Sequence, residues 1–155
     1  MTRRSPHWYL RGWAVAAVIV AAGATRAAPS CRNVTTTSVA FGTYNPVNGA
    51  PTDSTGSVSY FCPGALSPVI SISAGSSGSF SPRHMTSTTT DVLTYNLYLD
   101  AARTTVWGDG TGGSATVNGT VATNPATNTI YGRIFPGQSI AAGSYSDTLT
   151  VTINF

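Results

Sequence analysis

Apolar and polar residues alternate along several segments of the chain, as expected of β-strands that bury one face. The clearest segment spans residues 145–155. Its apolar face consists of Tyr145, Leu149, Val151, Ile153 and Phe155. Serine, threonine and asparagine dominate the other face, and threonine favours strands because it is β-branched. The alternation therefore predicts a half-buried strand at the C-terminal end of the sequence.

Shorter alternating patterns predict further strands. Two of them span residues 92–99 and 129–134. Three more lie around Val58, Tyr60 and Cys62, around Ile70, Ile72 and Ala74, and around Val34, Val39 and Phe41, the last with a bend within residues 35–37. Glycine, proline and asparagine separate these segments, and residues 124–128 are predicted to form a loop. Since no segment after residue 27 keeps a helical period, the pattern predicts one all-β antiparallel sandwich over residues 28–155.

Residues 1–27 follow a different pattern. Three arginines precede an apolar run at residues 13–22, and small residues follow it. A basic start, a short apolar core and a small-residue end are typical of a secretory signal peptide. The run is shorter than the roughly 20 apolar residues that a transmembrane helix needs, which disfavours an uncleaved anchor. We predict a signal peptide at residues 1–27, cleaved after Ala27, and no integral membrane segment in the mature chain.

Charged residues make up only 8% of the chain, against roughly 25% in typical soluble domains. Every basic residue is arginine and every acidic residue is aspartate. Removal of residues 1–27 leaves four arginines and five aspartates, which is a net charge of −1. A nearly neutral domain lacks the basic patch that nucleic acids and anionic membranes require. We therefore expect neither as a partner.

Cys31 and Cys62 both lie in the predicted mature chain. Two cysteines in an exported protein favour a disulfide, although two buried free thiols are the alternative. The bond would close a loop of about 32 residues and stabilise the fold by roughly 3–4 kcal/mol. A zinc site is not expected, because only His84 would remain as a further soft ligand.

The motifs for catalysis are weak. Residues 108–113 match G-x-G-x-x-G, but no helix can follow them, so they predict a glycine-rich hairpin loop instead of a nucleotide site. His84 is the only histidine of the mature chain and is predicted to lie in a surface loop. The chain has no glutamate, and its aspartates occupy turn-like positions. The sequence therefore predicts no enzyme, no cofactor and no metal.

Two stretches nonetheless carry a family resemblance. Residues 95–110, Tyr-Asn-Leu-Tyr-Leu-Asp-Ala-Ala-Arg-Thr-Thr-Val-Trp-Gly-Asp-Gly, resemble the signature of the spore coat protein U domain. Residues 132–134, 137–138 and 142–155 resemble its closing strand, and residues 39–44 its opening. Cys31 and Cys62 fit the disulfide of that family.

The resemblance implies an immunoglobulin-like sandwich that lacks its last strand, because the family includes subunits of archaic chaperone–usher pili. A strand from another protein completes such a fold by donor-strand complementation. We expect Leu149, Val151, Ile153 and Phe155 to line one wall of the donor-strand groove, with Val39 and Phe41 on the other wall. The alternative is that these are ordinary core residues of a closed sandwich.

Two functions follow as expectations. One is a structural subunit of a surface pilus, which passes through the periplasm to the cell surface and acts in attachment and biofilm formation. Its partners would be a periplasmic pilus chaperone, an outer-membrane usher and neighbouring pilin subunits. Cleavage after Ala27 would leave three residues before Cys31, too few for a donor strand, which favours a tip or initiating subunit. The alternative is a self-contained secreted spore-coat or carbohydrate-binding sandwich.

Overall fold

A computed structural model describes residues 30–63, 67–119 and 125–155 of the chain. The signal peptide predicted for residues 1–27 lies outside the described residues. Eight strands form the domain: β1 (Arg32–Thr37), β2 (Thr52–Phe61), β3 (Val69–Ile72), β4 (Arg83–Thr86), β5 (Val92–Tyr98), β6 (Val117–Asn118), β7 (Ala126–Ile134) and β8 (Val151–Asn154). A single 3-10 turn at Gly75–Ser77 is the only helical element in the part of the chain that the structure describes.

The strands build two antiparallel sheets. The large sheet has the order β1-β2-β7-β5-β4, and the small sheet has the order β6-β3-β8. The longest pairing joins β2 to β7, from Thr52 opposite Ile134 to Tyr60 opposite Ala126. The prediction of an all-β antiparallel sandwich is confirmed.

The core lies between the two sheets and follows from the alternation of the strands. Inward side chains of the large sheet include Val58, Tyr60, Leu93, Tyr95, Leu97, Ile130 and Ile134, and those of the small sheet include Ile70 and Ile72. Each is at most 6% exposed. Most outward positions of β2 and β7 are polar, with Phe61 and Tyr131 as the large exceptions, so the large sheet buries one face and leaves the other partly solvated.

A buried arginine joins the sheets at one end of the core. Arg83 of β4 donates hydrogen bonds to the carbonyl oxygens of Ser73 and Trp107 and to the Oδ1 atom of Asn96, at 2.6–3.1 Å. The indole N–H of Trp107 in turn donates to the carbonyl oxygen of Ile70 in β3, at 3.2 Å. Burial lowers the pKa of the Arg83 guanidinium. Because its donors are occupied by oxygen acceptors, the cation is tolerated where water is excluded.

Two predicted loops are strands in the structure. Ala126–Asn128, predicted as part of a loop, pair with Val58–Tyr60 and form the first part of β7. The nearby proline and asparagines are typical of loops, but β2 supplies backbone partners that outweigh this local preference. His84, predicted in a surface loop, is half-buried on β4 because β5 pairs with that segment.

The glycine-rich segment 108–113 forms a loop, but not the predicted hairpin. Trp107 and Ala115, which flank it, are joined by a parallel bridge instead of an antiparallel one. The amide of Ala115 donates to the carbonyl oxygen of Val106, and the amide of Gly108 donates to that of Ala115. The buried indole of Trp107 bonds to Ile70 of β3, and this contact fixes the path of the chain at the parallel bridge.

The predicted disulfide between Cys31 and Cys62 is present in the structure. Cys31 precedes β1 directly and Cys62 follows β2 directly, so the bond ties together the two ends of one antiparallel pair. It is the covalent anchor of β1, whose six side chains are all exposed and whose pairing with β2 is irregular between Arg32 and Thr35.

We expect reduction of this disulfide to lower the free energy of unfolding by about 3–4 kcal/mol, because the two cysteines are 31 residues apart and the unfolded chain gains the corresponding freedom. Urea unfolding with and without dithiothreitol measures the difference. The control is the double variant C31S/C62S, on which the reductant should have no effect. Equal stability of the oxidised and reduced wild type would contradict the prediction.

Candidate functional site

The last strand has one edge without a described strand partner. β8 lies at the end of the small sheet and pairs only with β3 among the described residues, from Val151 opposite Ile72 to Asn154 opposite Val69. The strand is shorter than the predicted segment 145–155. Ser146 instead pairs with Thr86 of β4, through two backbone hydrogen bonds of 3.0 and 3.1 Å, so the chain crosses from the large sheet to the small one before β8 begins.

The segment after β1 leaves the large sheet and lies across its inner face. Two glycines make this close approach possible. A Cβ on Gly132 would lie 2.5 Å from Val39 and 2.7 Å from Phe41, and one on Gly56 would lie 2.9 Å from Val39. Phe41 also packs edge-on against Tyr95, with ring centroids 6.0 Å apart. The segment is thereby held in the layer of the small sheet.

A cleft separates this segment from the chain that leads into β8. Residues 36–44 form its first wall, and residues 140–151 contribute its second wall. It has a larger compartment of about 610 Å³ and a smaller one of about 370 Å³. Its floor consists of core side chains, namely Ile72, Met85, Leu93, Tyr95, Leu97, Ile130 and Ile134. The cleft is therefore a gap in the small-sheet layer that reaches down to the core, although each side chain of its floor is at most 9% exposed.

Four of the six residues predicted to line a donor-strand groove lie at this cleft. Val39 and Phe41 belong to the first wall, and Leu149 and Val151 to the second. Ile153 and Phe155 lie outside it: Ile153 packs against the core opposite Ile70, and Phe155 is 58% exposed. The structure thus brings the two predicted walls together, although they are more than 100 residues apart in the sequence.

Few polar contacts hold the first wall. The hydroxyl of Ser54 donates to the carbonyl oxygen of Ala40 at 2.6 Å, and the amide of Gln138 donates to the hydroxyl oxygen of Tyr44 at 2.8 Å. The side chain of Gln138 also bonds both backbone groups of Thr94 in β5. The far end of the cleft is thereby attached to the large sheet.

The second wall is held by the half-buried carboxylate of Asp147. Asp147 accepts a hydrogen bond from the hydroxyl of Tyr95 at 2.7 Å and another from the amide of Ser76 at 2.9 Å. Gly75 must lack a side chain here, because a Cβ would collide with the Asp147 carboxylate. Burial, followed by the bond to Asp147, raises the pKa of Tyr95 well above its usual value. We call Tyr95, Asp147 and Ser76 the latch.

The alternation of the chain does not predict the latch, although the sequence contains one signal for it. Asp147 has the same parity as Tyr145, Leu149 and Val151, so it occupies an inward position of the alternating segment. An acid at an inward position needs a buried donor. Nothing in the alternation identifies Tyr95 as that donor, because it comes from a strand 52 residues away.

The outer face of the large sheet differs sharply from the cleft. Its hydroxyls bond one another across strands, as between Ser59 and Thr127 at 2.7 Å. At one end of this face, Arg133 forms a bidentate ion pair with Asp53, with both N–O distances 2.8 Å. This pairing holds the pKa of Asp53 below its usual value. Arg103 lies 3.3 Å from the same carboxylate. These hydroxyl, arginine and aspartate contacts make this part of the outer face polar, in contrast to the apolar floor of the cleft.

Other chemistry finds little support in the described residues. Within residues 30–63, 67–119 and 125–155, no three His, Cys, Asp or Glu side chains come close enough to hold a metal ion. In the same ranges there is no helix with the length and apolar character needed to cross a membrane.

Comparison with known proteins identifies the family. The model of the Spore Coat Protein U domain matches residues 15–152. The chain belongs to the Spore Coat Protein U domain family. The curated Protein U of Myxococcus xanthus is similar to it, with 34% identity over 127 residues that cover 74% of this chain and 70% of that protein. The resemblance to this family, stated above for residues 39–44, 95–110, 132–134, 137–138 and 142–155, is thereby confirmed.

A solved structure shows the same fold. It is a chain in the crystal structure of the CsuC–CsuE chaperone–tip adhesion subunit pre-assembly complex from archaic chaperone-usher Csu pili of Acinetobacter baumannii. The similarity has a TM-score of 0.57 with 25% identity, and covers 82% of this chain. This family member spans only 40% of the length of that chain.

The latch predicts a specific loss of stability. Replacing Tyr95 with phenylalanine removes a hydrogen bond to a carboxylate, and we expect Tyr95→Phe to lower the free energy of unfolding by about 1.5–3 kcal/mol. Urea unfolding measures the effect. Tyr131→Phe is the matched control, because Tyr131 lies on the outer face of β7 away from the cleft.

The pH dependence gives a second readout for the same variant. Because the folded state keeps Tyr95 neutral, the unfolded chain ionises this tyrosine first, near its ordinary pKa of about 10. Its contribution to stability is therefore complete below pH 10 and is lost as the pH rises above it. Tyr95→Phe should flatten this alkaline decline more than Tyr131→Phe does. Identical pH profiles of the two variants would exclude a folded state in which Tyr95 stays neutral above its ordinary pKa.

Proposed function

We propose that this protein is a structural subunit of a chaperone–usher surface fibre, and that its cleft accepts an extended strand from an assembly partner. The observation that carries the proposal is the edge of β8 that has no strand partner among the described residues, beside a cleft with an apolar floor. A strand laid in the cleft would fill the gap in the small-sheet layer between residues 36–44 and residues 140–151, and would reach β8 at Val151.

The physics of strand addition fits both features of the cleft. Backbone groups along β8 that lack a described partner would bond the incoming strand, which supplies affinity without regard to sequence. Alternate side chains of that strand would point to the floor, where they would pack beside Ile72, Leu97 and Ile130 and bury their own apolar surface. An edge strand left open in this way is otherwise a site of aggregation.

The comparisons support the partner class. The similar solved structure contains, by its own description, a chaperone in complex with a subunit of archaic chaperone-usher pili. We infer that a periplasmic chaperone occupies the cleft of this chain first and that a neighbouring subunit replaces it. Delivery by an outer-membrane usher, and a role in attachment and biofilm formation, belong to the same proposal.

Export belongs to the proposal as well. The basic and apolar pattern of residues 1–27 supports a signal peptide, and the disulfide supports an oxidising compartment. With cleavage after Ala27, the segment before Cys31 would be too short to serve as a donor strand, so we propose a position at the tip or start of a fibre.

The cleavage site has a direct test. We expect the protein secreted to a bacterial periplasm to begin at Ala28. Small residues lie before this cleavage site, whereas cleavage one residue later would place Pro29 directly after the cut. Intact mass spectrometry of the purified chain measures the boundary. A mature chain that starts well before residue 28 would remove the argument for a tip or initiating subunit.

An added strand tests the central proposal. We would append a ten-residue strand that alternates valine with threonine to Phe155 through a flexible Gly/Ser linker, so that the strand is present at high effective concentration. We expect the melting temperature to rise by more than about 10 °C, because the strand covers the apolar floor. The control is the same extension with every valine replaced by serine. A sharp melt that neither extension changes would favour a stand-alone coat protein.

A pair of nearly isosteric variants locates the effect. Val39→Thr places a hydroxyl in the first wall of the cleft, whereas Val92→Thr places one at an exposed position of β5 outside it. We expect Val39→Thr, but not Val92→Thr, to reduce the stabilisation by the added strand, since a hydroxyl buried without a partner opposes it. Equal effects of the two variants would show that the strand binds elsewhere.

A further inference from the structure

The two compartments of the cleft meet at four side chains. Val39 and Phe41 of the first wall, Tyr145 of the second wall and Met85 of the floor line both compartments. We call these four residues the waist. A strand that occupies the whole cleft must place a side chain over the waist, because it runs from one compartment to the other.

Met85 is the floor of the waist. It projects inward from β4 opposite Leu93 and is 9% exposed. The backbone of β4 is fixed on both sides, by β5 along one edge and by the bridge between Thr86 and Ser146 along the other. The inward neighbour Arg83 is held by its hydrogen bonds. Adjustment at this point therefore falls to the Met85 side chain.

The chemistry of methionine suits such adjustment. Methionine is unbranched, with three rotatable side-chain bonds and a polarisable sulfur, and it fills gaps of irregular shape. The other waist residues are a β-branched valine and two aromatic rings, which are stiff by comparison. A leucine at residue 85 would have nearly the same volume but fewer shapes.

We propose that Met85 determines the range of donor strands that the cleft accepts. By changing rotamer it makes room for either a small or a large side chain over the waist, so that one cleft holds two strands of unlike sequence in succession. The inference rests on the proposed function, since it concerns the strand that the cleft receives.

The test uses the appended-strand protein. Each valine of the strand is replaced in turn by alanine, leucine or phenylalanine, in the wild type and in Met85→Leu. For the position over the waist, we expect the three wild-type melting temperatures to agree within about 3 °C. In Met85→Leu we expect the alanine and phenylalanine versions to differ by at least about 6 °C at that position. Equal spreads in the two proteins would overturn the proposal.

A second variant separates adaptability from general stability. Leu93→Met, added to Met85→Leu, restores a methionine to the larger compartment but not to the waist. We expect it to leave the spread of Met85→Leu unchanged. If it restores the wild-type tolerance, methionine content and not the position of Met85 sets the range, and the proposal is wrong.

Methyl NMR gives a readout that a purely structural role would not move. Met85 is the only methionine after residue 1, so its labelled methyl group gives one assignable signal in the mature chain. We expect its chemical shift to differ between the alanine and leucine strands, neither of which carries an aromatic ring that would move the signal by itself; one constant shift would overturn the proposal. If no appended strand stabilises any version of the protein, the proposed function itself fails, which distinguishes that failure from one of Met85 alone.

Discussion

A strand at the edge of a sheet leaves half of its backbone N–H and C=O groups without strand partners, and β8 lies at such an edge within the described residues. Beside it, the small-sheet layer is open and the inward side chains of the large sheet form the floor of a cleft. One further strand would both pair with the edge of β8 and cover the floor of the cleft. The proposed function follows, because a strand from a partner would do both.

The rest of the fold keeps this opening in place. The disulfide anchors the start of β1, and Gly56 and Gly132 allow the following segment to lie against the large sheet. On the other side, Tyr95 and Ser76 hold Asp147, which positions the chain that leads into β8. The buried bonds of Arg83 fix β4 beneath the cleft. The walls are thus attached separately to a rigid floor.

Alternation made most of the fold predictable, because a two-residue period places apolar side chains on one face whatever the tertiary contacts are. It failed where a neighbouring strand overrode local preference. Ala126–Asn128 belong to β7 because they pair with β2, and His84 belongs to β4 because it pairs with β5. The segment 145–155 kept its alternation but not its full length as a strand, since it must cross between two sheets.

The sequence by itself determined the class of fold, the disulfide and the family, since these depend on periodicity, on the number of cysteines and on recognisable local stretches. It also indicated Val39, Phe41, Leu149 and Val151, because each occupies an inward position of an alternating segment. Only the tertiary structure decided that these residues face one another across a cleft, that Asp147 meets Tyr95 and that Met85 lies between two compartments. Such contacts join residues far apart in the chain, and the distance between them is set by how the sheets pack.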